Sequence, residues 1–133
     1  MPLRKSAETI MALYVAGFGA FVAAYEVGGV NAMAWTGMNI VASSWFAWLC
    51  IWGATIHALG LWLNGSYRWS PIIRASGLLM GSGLFAHLAW LGAGAQNTAG
   101  FTYLAVFVGF FFAFRTAVRD CVLAWRGRYG SAH

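Results

Sequence analysis

The sequence has very little charge, and this scarcity excludes several classes of protein. Only 8% of the 133 residues are charged, with three acidic and eight basic side chains. A typical soluble domain carries about 25% charged residues. Because so few charges cannot cover the surface of a folded chain in water, we exclude an ordinary soluble domain and a disordered protein.

Cysteine is scarce as well, with two residues in the chain. Cys50 lies inside an apolar run and Cys121 lies beside several arginines. Two thiols so far apart make neither a disulfide framework nor a metal-binding motif, so we expect free thiols and no metal. The sequence also lacks a nucleophile–base set and a phosphate-binding glycine loop, which predicts a protein without enzymatic activity and without a cofactor.

Apolar residues, by contrast, make up 61% of the chain, and the mean hydropathy is +0.68. A helix that crosses a membrane needs about 20 mostly apolar residues. Four such stretches lie at about residues 9–28, 39–63, 71–93 and 100–122, separated by turn-forming residues. We therefore predict an all-α polytopic membrane protein, a single four-helix transmembrane domain over residues 1–133 with a short basic C-terminal tail.

The basic residues predict the orientation of these helices. They lie before the first stretch, around the second link and toward the C-terminus, whereas the first and third links have none. Basic residues collect on the cytoplasmic side of membrane proteins. We expect both termini to be cytoplasmic, in a multi-pass protein of the bacterial inner membrane. The net charge of +5 is thereby explained without a nucleic-acid partner, which we do not expect.

The N-terminal region also fits a second interpretation. Arg4, Lys5, the apolar stretch and the run Val22–Ala24 are similar to a cleavable signal peptide. Cleavage would leave three helices with the same orientation. Glu8 in the early region argues against this interpretation, and we retain four helices.

Small residues at regular spacing predict where the helices pack, because close backbone approach replaces the hydrophobic drive in lipid. The first helix has a four-residue repeat of small side chains, and the third has a glycine pair. These predicted packing residues are Ala12, Ala16, Ala20, Ala24, Gly28, Gly77 and Gly81. They serve either the fold of one chain or the association of several copies.

A tryptophan stripe marks the second helix. Trp45, Trp48 and Trp52 follow an i, i+3, i+7 spacing on one face. Packing against a neighbouring helix or lipid explains this stripe, and contact with a flat ligand such as a quinone is the alternative.

Ionisable residues within membrane spans are costly and are therefore candidates for function. At 1.5 Å per residue, His57 lies about 9 Å and His87 about 24 Å from the cytoplasmic side, too far apart to ligate one haem. Glu26, at about 25 Å from that side, lies close to the level of His87. Glu26 and His87 are therefore a candidate ion or proton pair, although we favour the interpretation that Glu26 lies at the interface and is solvated.

The remaining basic residues are assigned to lipid headgroups, where long side chains can extend to the interface. This set is Arg68, Arg74, Arg115, Arg119, Arg126 and Arg128.

The run Leu63–Pro71, LNGSYRWSP, followed by Arg74 and Gly77, resembles one in uncharacterised small membrane proteins encoded by tailed phages. The resemblance covers about a tenth of the chain. It implies a small accessory protein acting in an infected host's membrane.

These features together predict a non-enzymatic integral membrane protein that acts by helix–helix association, as an accessory subunit or interaction protein. Its expected partners are the lipid bilayer and other membrane subunits or copies of itself. An oligomeric, holin-like pore is one alternative. A small ion or proton transporter or a redox-complex subunit is another.

Overall fold

The computed structural model describes residues 2–63, 67, 69–96 and 98–127, with side chains from residue 6 onward. This part of the chain contains four long helices: α1 (Pro2–Val27), α2 (Ile40–Trp62), α3 (Ser70–Gly94) and α4 (Ala99–Trp125). Each is long and apolar enough to cross a membrane. The prediction of an all-helical chain with four such helices is therefore confirmed.

The two outer helices of the sequence are longer than predicted. α1 begins at Pro2 rather than near Thr9, and α4 ends at Trp125 rather than near Val122. An apolar run marks the part of a helix that suits hydrocarbon, whereas helical hydrogen bonding continues through charged residues with good helix propensity. As a result Glu8 belongs to α1, where its side chain is buried.

Neighbours in sequence are neighbours in space: α1 packs on α2, α2 on α3, and α3 on α4. The first residues of α1 and α3 and the last of α2 and α4 share one end of the bundle, here named the terminal end. The link 28–39 and the described link residues 95, 96 and 98 lie at the opposite end, the distal end.

α1 uses a face with alternating steps of three and four residues. Its buried positions are Glu8, Ala12, Val15, Gly19 and Val22. This average spacing of about 3.5 residues keeps one face against a neighbouring helix. Gly19 is the point of closest approach, since a Cβ atom there would lie 2.8 Å from the Cβ of Cys50 in α2.

Aromatic rings fill the middle of the bundle. Phe85 of α3 is fully buried, and its ring centroid lies 5.8 Å from that of Phe18, 6.0 Å from Tyr103 and 5.9 Å from Phe110. These rings come from α1, α3 and α4, and Phe46 of α2 meets Phe18 edge to face. All four helices thus contribute to one solid aromatic core.

The link between α1 and α2 covers the distal end of this core. It contains a short 3₁₀ helix, Ala34–Thr36, which contacts α3. Met33 is buried, and the ring of Trp35 stacks on Tyr103 with centroids 5.8 Å apart. Gly37 ends the turn with φ = 80°, a conformation that glycine adopts without strain.

Candidate functional site

Each of the four helices contributes one ionisable side chain to a cluster inside the terminal end. Its members are Glu8 of α1, His57 of α2, Arg74 of α3 and Asp120 of α4, here named the charge cluster. Glu8 is 3% exposed, His57 1% and Arg74 3%, and Asp120 is partly buried. Buried groups of this type are rare unless they are paired.

Arg74 lies at the centre of the charge cluster. Its Nη2 donates a hydrogen bond to Oδ2 of Asp120, and its Nε lies 3.3 Å from Oε2 of Glu8. One guanidinium group therefore connects two carboxylates that belong to α1 and α4. The five fixed N–H groups of arginine suit such a bridging position.

His57 completes the cluster from α2. Its Nε2 lies 3.6 Å from Oε2 of Glu8 and makes no hydrogen bond within the described part of the chain. The imidazole ring also packs edge to face with the ring of Phe110, with ring centroids 6.5 Å apart. His57 thus connects the charge cluster to the aromatic core.

Two glycines create the space in which the cluster forms. A Cβ atom at Gly60 would lie 2.6 Å from the backbone nitrogen of Arg74, and one at Gly77 would lie 2.6 Å from Cα of His57. Such distances require glycine, so α2 and α3 approach each other backbone to backbone. The backbone atoms of Arg74 and His57 consequently lie at the contact between α2 and α3, and their side chains extend from this contact rather than from the outer surface.

The chemistry of the cluster is pairing of charges. Bringing an ion out of water costs several kcal/mol, and only good geometry with an opposite charge offsets this. Within the described residues, no group of three or more His, Cys, Asp or Glu side chains is placed to hold a metal. The arrangement therefore joins the four helices at one end, and removal of Glu8, Arg74 or Asp120 leaves another buried charge less compensated.

The placement of Arg74 corrects the sequence analysis, which assigned it to lipid headgroups. Its side chain points into the bundle because the α2–α3 contact at Gly60 lies beside it. Arg115, Arg119 and Arg126 are exposed on or just after α4, as a headgroup role requires. Arg68 and Arg128 lie outside the described residues.

Glu26 and His87 are not brought together in a hydrogen bond or ion pair in the described part of the chain. Oε1 of Glu26 accepts hydrogen bonds from Oγ of Ser43, at 2.6 Å, and from the backbone nitrogen of Ala32, at 3.1 Å. Glu26 therefore anchors the α1–α2 link to α2. His87 is exposed on the outer surface of α3.

The predicted packing residues divide into two groups. Gly77 and Gly81 lie at close contacts, the first against His57 and the second against the ring of Phe110. On α1, Ala12 is buried and Ala16 is partly buried, and the other three positions are exposed: Ala20, Ala24 and Gly28. The exposed part has no role in packing within the chain, because a strict four-residue repeat drifts around the helix away from the buried face.

The tryptophan stripe lies on the outer surface of α2. Trp45, Trp48 and Trp52 are 65%, 56% and 61% exposed.

Both cysteines are free thiols, with Cys50 buried and Cys121 partly buried.

A cleft of about 540 Å³ opens between α3 and α4 in the distal half of the bundle. Three alanines of α3, Ala86, Ala89 and Ala93, leave the space, and aromatic residues such as Trp90 and Phe101 stand beside it. We name it the α3–α4 cleft. Its volume falls in the range of about 300–1,000 Å³ found for ligand pockets.

The charge cluster was missed at the sequence level, although a signal for it exists. Glu8 and Arg74 lie near the start of their helices, and His57 and Asp120 near the end of theirs. In an antiparallel bundle these four positions meet at the same end. Depth along the helices therefore places these four residues at one end of the bundle, but it does not show which of their side chains turn inward.

No protein-family model matches this chain, and no curated protein or solved structure shows significant similarity to it.

Proposed function

We propose that this chain is a multi-pass protein of the bacterial inner membrane with both termini in the cytoplasm. Four helices of sufficient length and hydropathy support insertion. The basic residues near the terminal end support the orientation, since the distal links carry none. The terminal end is then the cytoplasmic end, and the charge cluster lies just inside the membrane on that side.

Within that membrane, the chain acts by helix–helix association, as a non-enzymatic accessory subunit or interaction protein. The observation that carries this proposal is a contrast between the interior and the outer surface. The interior is filled by packed side chains, whereas the outer surface carries groups that are available to a partner. The interior holds the aromatic core and the charge cluster, in which Arg74 pairs with Glu8 and Asp120. The exterior carries the tryptophan stripe, His87 and the α3–α4 cleft. Recognition by other helices therefore uses the outer surface.

A pore or transporter requires a polar path between the two ends. Between Glu26 at the distal end and the charge cluster at the terminal end lie the packed rings of Phe18, Phe85 and Phe110. Because these packed rings lie across the path between the two ends of a single bundle, they support action by association rather than by conduction.

Reconstitution of the full chain into sealed vesicles tests this proposal against its alternatives. We expect neither release of a trapped fluorescent dye nor proton flux under an imposed gradient, even at many copies per vesicle. A pore-forming peptide added at the end of each trace provides the positive control. Dye release or proton flux that increases with the amount of protein would contradict the proposal and favour a pore or transporter.

A further inference from the structure

Three features of the outer surface have no role in the fold: the tryptophan stripe on α2, His87 on α3 and the α3–α4 cleft. We propose that copies of this chain associate by inserting the tryptophan stripe of one copy into the α3–α4 cleft of the next. The proposal rests on the proposed function and adds to it the identity of one partner, a second copy.

Hydrogen bonding distinguishes these groups from four hydroxyl groups on the outward faces of the helices. Four outward hydroxyl groups donate to a backbone carbonyl of their own helix: Ser44, Thr55, Ser76 and Thr116. The indole N–H groups of the stripe and the imidazole of His87 make no hydrogen bond to the described residues. Because an unsatisfied polar group in hydrocarbon is costly, these groups indicate a polar partner rather than lipid tails.

The donors and the acceptor are complementary. Each indole offers an N–H donor and no acceptor, whereas a neutral imidazole offers an acceptor nitrogen. His87 lies one turn before Trp90, which lines the α3–α4 cleft. A tryptophan of the stripe that enters the cleft therefore comes within reach of the imidazole of His87 on the neighbouring copy.

The shapes are complementary as well. The stripe is a ridge of three large rings, each more than half exposed. The cleft exists because Ala86, Ala89 and Ala93 are small. Trp90 and Phe101, both 78% exposed, offer aromatic surfaces for stacking on the inserted ring. Filling the space restores the dispersion contacts that its lining lacks.

The depths agree, which is a strict requirement between copies that share one orientation in a membrane. Trp48 lies eight residues after the start of α2, about 12 Å from the distal end. His87 lies seven residues before the end of α3, about 10 Å from the same end. Phe101 and Phe107 line the cleft at about 3 and 12 Å from the start of α4.

The resulting contact is head to tail. The stripe belongs to α2 and the cleft to α3 and α4, so each copy in a pair retains one unused stripe or one unused cleft. Such contacts repeat until a ring closes. A rotation axis along the membrane normal preserves every depth, so a ring parallel to the membrane is the arrangement that satisfies all copies.

Photo-crosslinking of the full chain in phosphatidylethanolamine and phosphatidylglycerol vesicles tests the proposal. A benzophenone amino acid replaces Trp48 in one sample. The matched control replaces Phe21, which is 53% exposed on α1 and lies about 9 Å from the distal end. We expect a product of twice the chain mass from position 48, with the adduct mapped to residues 86–107, and none from position 21.

Two further variants keep the test informative. Ala89→Leu together with Ala93→Leu fills the cleft and lowers the crosslink from position 48 to the level of the Phe21 control. His87→Leu, at an exposed position that leaves the packing intact, weakens self-association about threefold to thirtyfold, as for the loss of one interhelical hydrogen bond.

Several outcomes would overturn the proposal. They are an adduct at position 48 that maps to α2 of the second copy, an adduct on a lipid or on a different protein alone, and unchanged crosslinking in both the cleft-filling and the His87 variants. None of these outcomes contradicts the proposed function, action by helix–helix association. That proposed function fails only if the chain has no protein partner in the membrane.

Discussion

The backbone of His57 in α2 occupies the space into which a side chain at position 77 of α3 would project. A Cβ atom added to Gly77 would lie 2.6 Å from the Cα of His57. This contact determines how closely α2 and α3 approach, and it places His57 and Arg74 inside the bundle. The position of the charge cluster thus depends on a glycine.

Gly77→Ala is expected to lower the free energy of unfolding by about 1–3 kcal/mol, the usual range for overpacking. The added methyl group meets backbone atoms of His57, which can move only if the two helices separate. Unfolding of the purified protein in mixed micelles, followed by circular dichroism, measures the loss.

Gly83→Ala is the matched control on the same helix, since a Cβ atom there meets nothing within 4 Å. Alanine favours a helix over glycine by up to about 1 kcal/mol, so this variant is expected to be as stable as the parent or more stable. Equal destabilisation by both substitutions would contradict the close α2–α3 contact.

Asp120→Asn is expected to destabilise the bundle, because it removes one of the carboxylates that compensate the buried charge of Arg74. Breaking a buried ion pair by deleting one partner costs about 3–5 kcal/mol, and the partly exposed Asp120 should fall at or below the lower limit. The same unfolding assay measures the effect.

Arg119→Gln is the control, because Arg119 is the exposed neighbour of Asp120 on α4. It should leave the unfolding transition nearly unchanged. If Arg119→Gln were as destabilising as Asp120→Asn, general charge on α4 rather than the pairing with Arg74 would explain the stability.

Ser43→Ala is expected to loosen the α1–α2 link at the distal end. The substitution removes the hydroxyl that donates to Oε1 of Glu26, and a hydrogen bond to a charged group contributes about 1.5–3 kcal/mol. Ser44→Ala is the adjacent control, since that hydroxyl bonds only to its own helix. Faster amide exchange over residues 28–39 in the first variant alone would agree with this anchor; equal exchange in both would refute it.

Reporter fusions test the orientation. Green fluorescent protein at the C-terminus should fluoresce, because that end is cytoplasmic in this account, whereas alkaline phosphatase inserted after Val30 should be active outside the cytoplasm. The opposite pattern, with phosphatase activity at the C-terminus, would reverse the bundle and place the charge cluster on the outer side.

The sequence predicts the helices well and the site poorly, for a physical reason. A membrane-spanning helix is a local property of about 20 consecutive residues, so four apolar runs suffice to find it. The charge cluster joins residues as distant as Glu8 and Asp120, and its detection requires knowing which face each helix turns inward. Each of these helices carries apolar residues on all sides, so hydropathy does not show which side of the helix faces inward.

The misassignment of Arg74 follows from the same limitation. Depth alone allows an arginine near the end of a helix to extend toward headgroups or to turn inward. The decision depends on Gly60, which opens space on the facing helix. On α1, the repeat of small residues suggested one face, whereas the alternating three- and four-residue repeat from Glu8 to Val22 is the one that is buried.

The most direct test of the central claim, action through helix–helix association, is the mass of the complex that contains the chain in a native membrane. The full chain is expressed in bacteria, extracted with its surrounding lipids by an amphipathic polymer, and weighed by native mass spectrometry. We predict assemblies that contain two or more protein chains and that persist when the protein is diluted in lipid. A single chain of 14.4 kDa with lipids alone, at every expression level, would contradict the account.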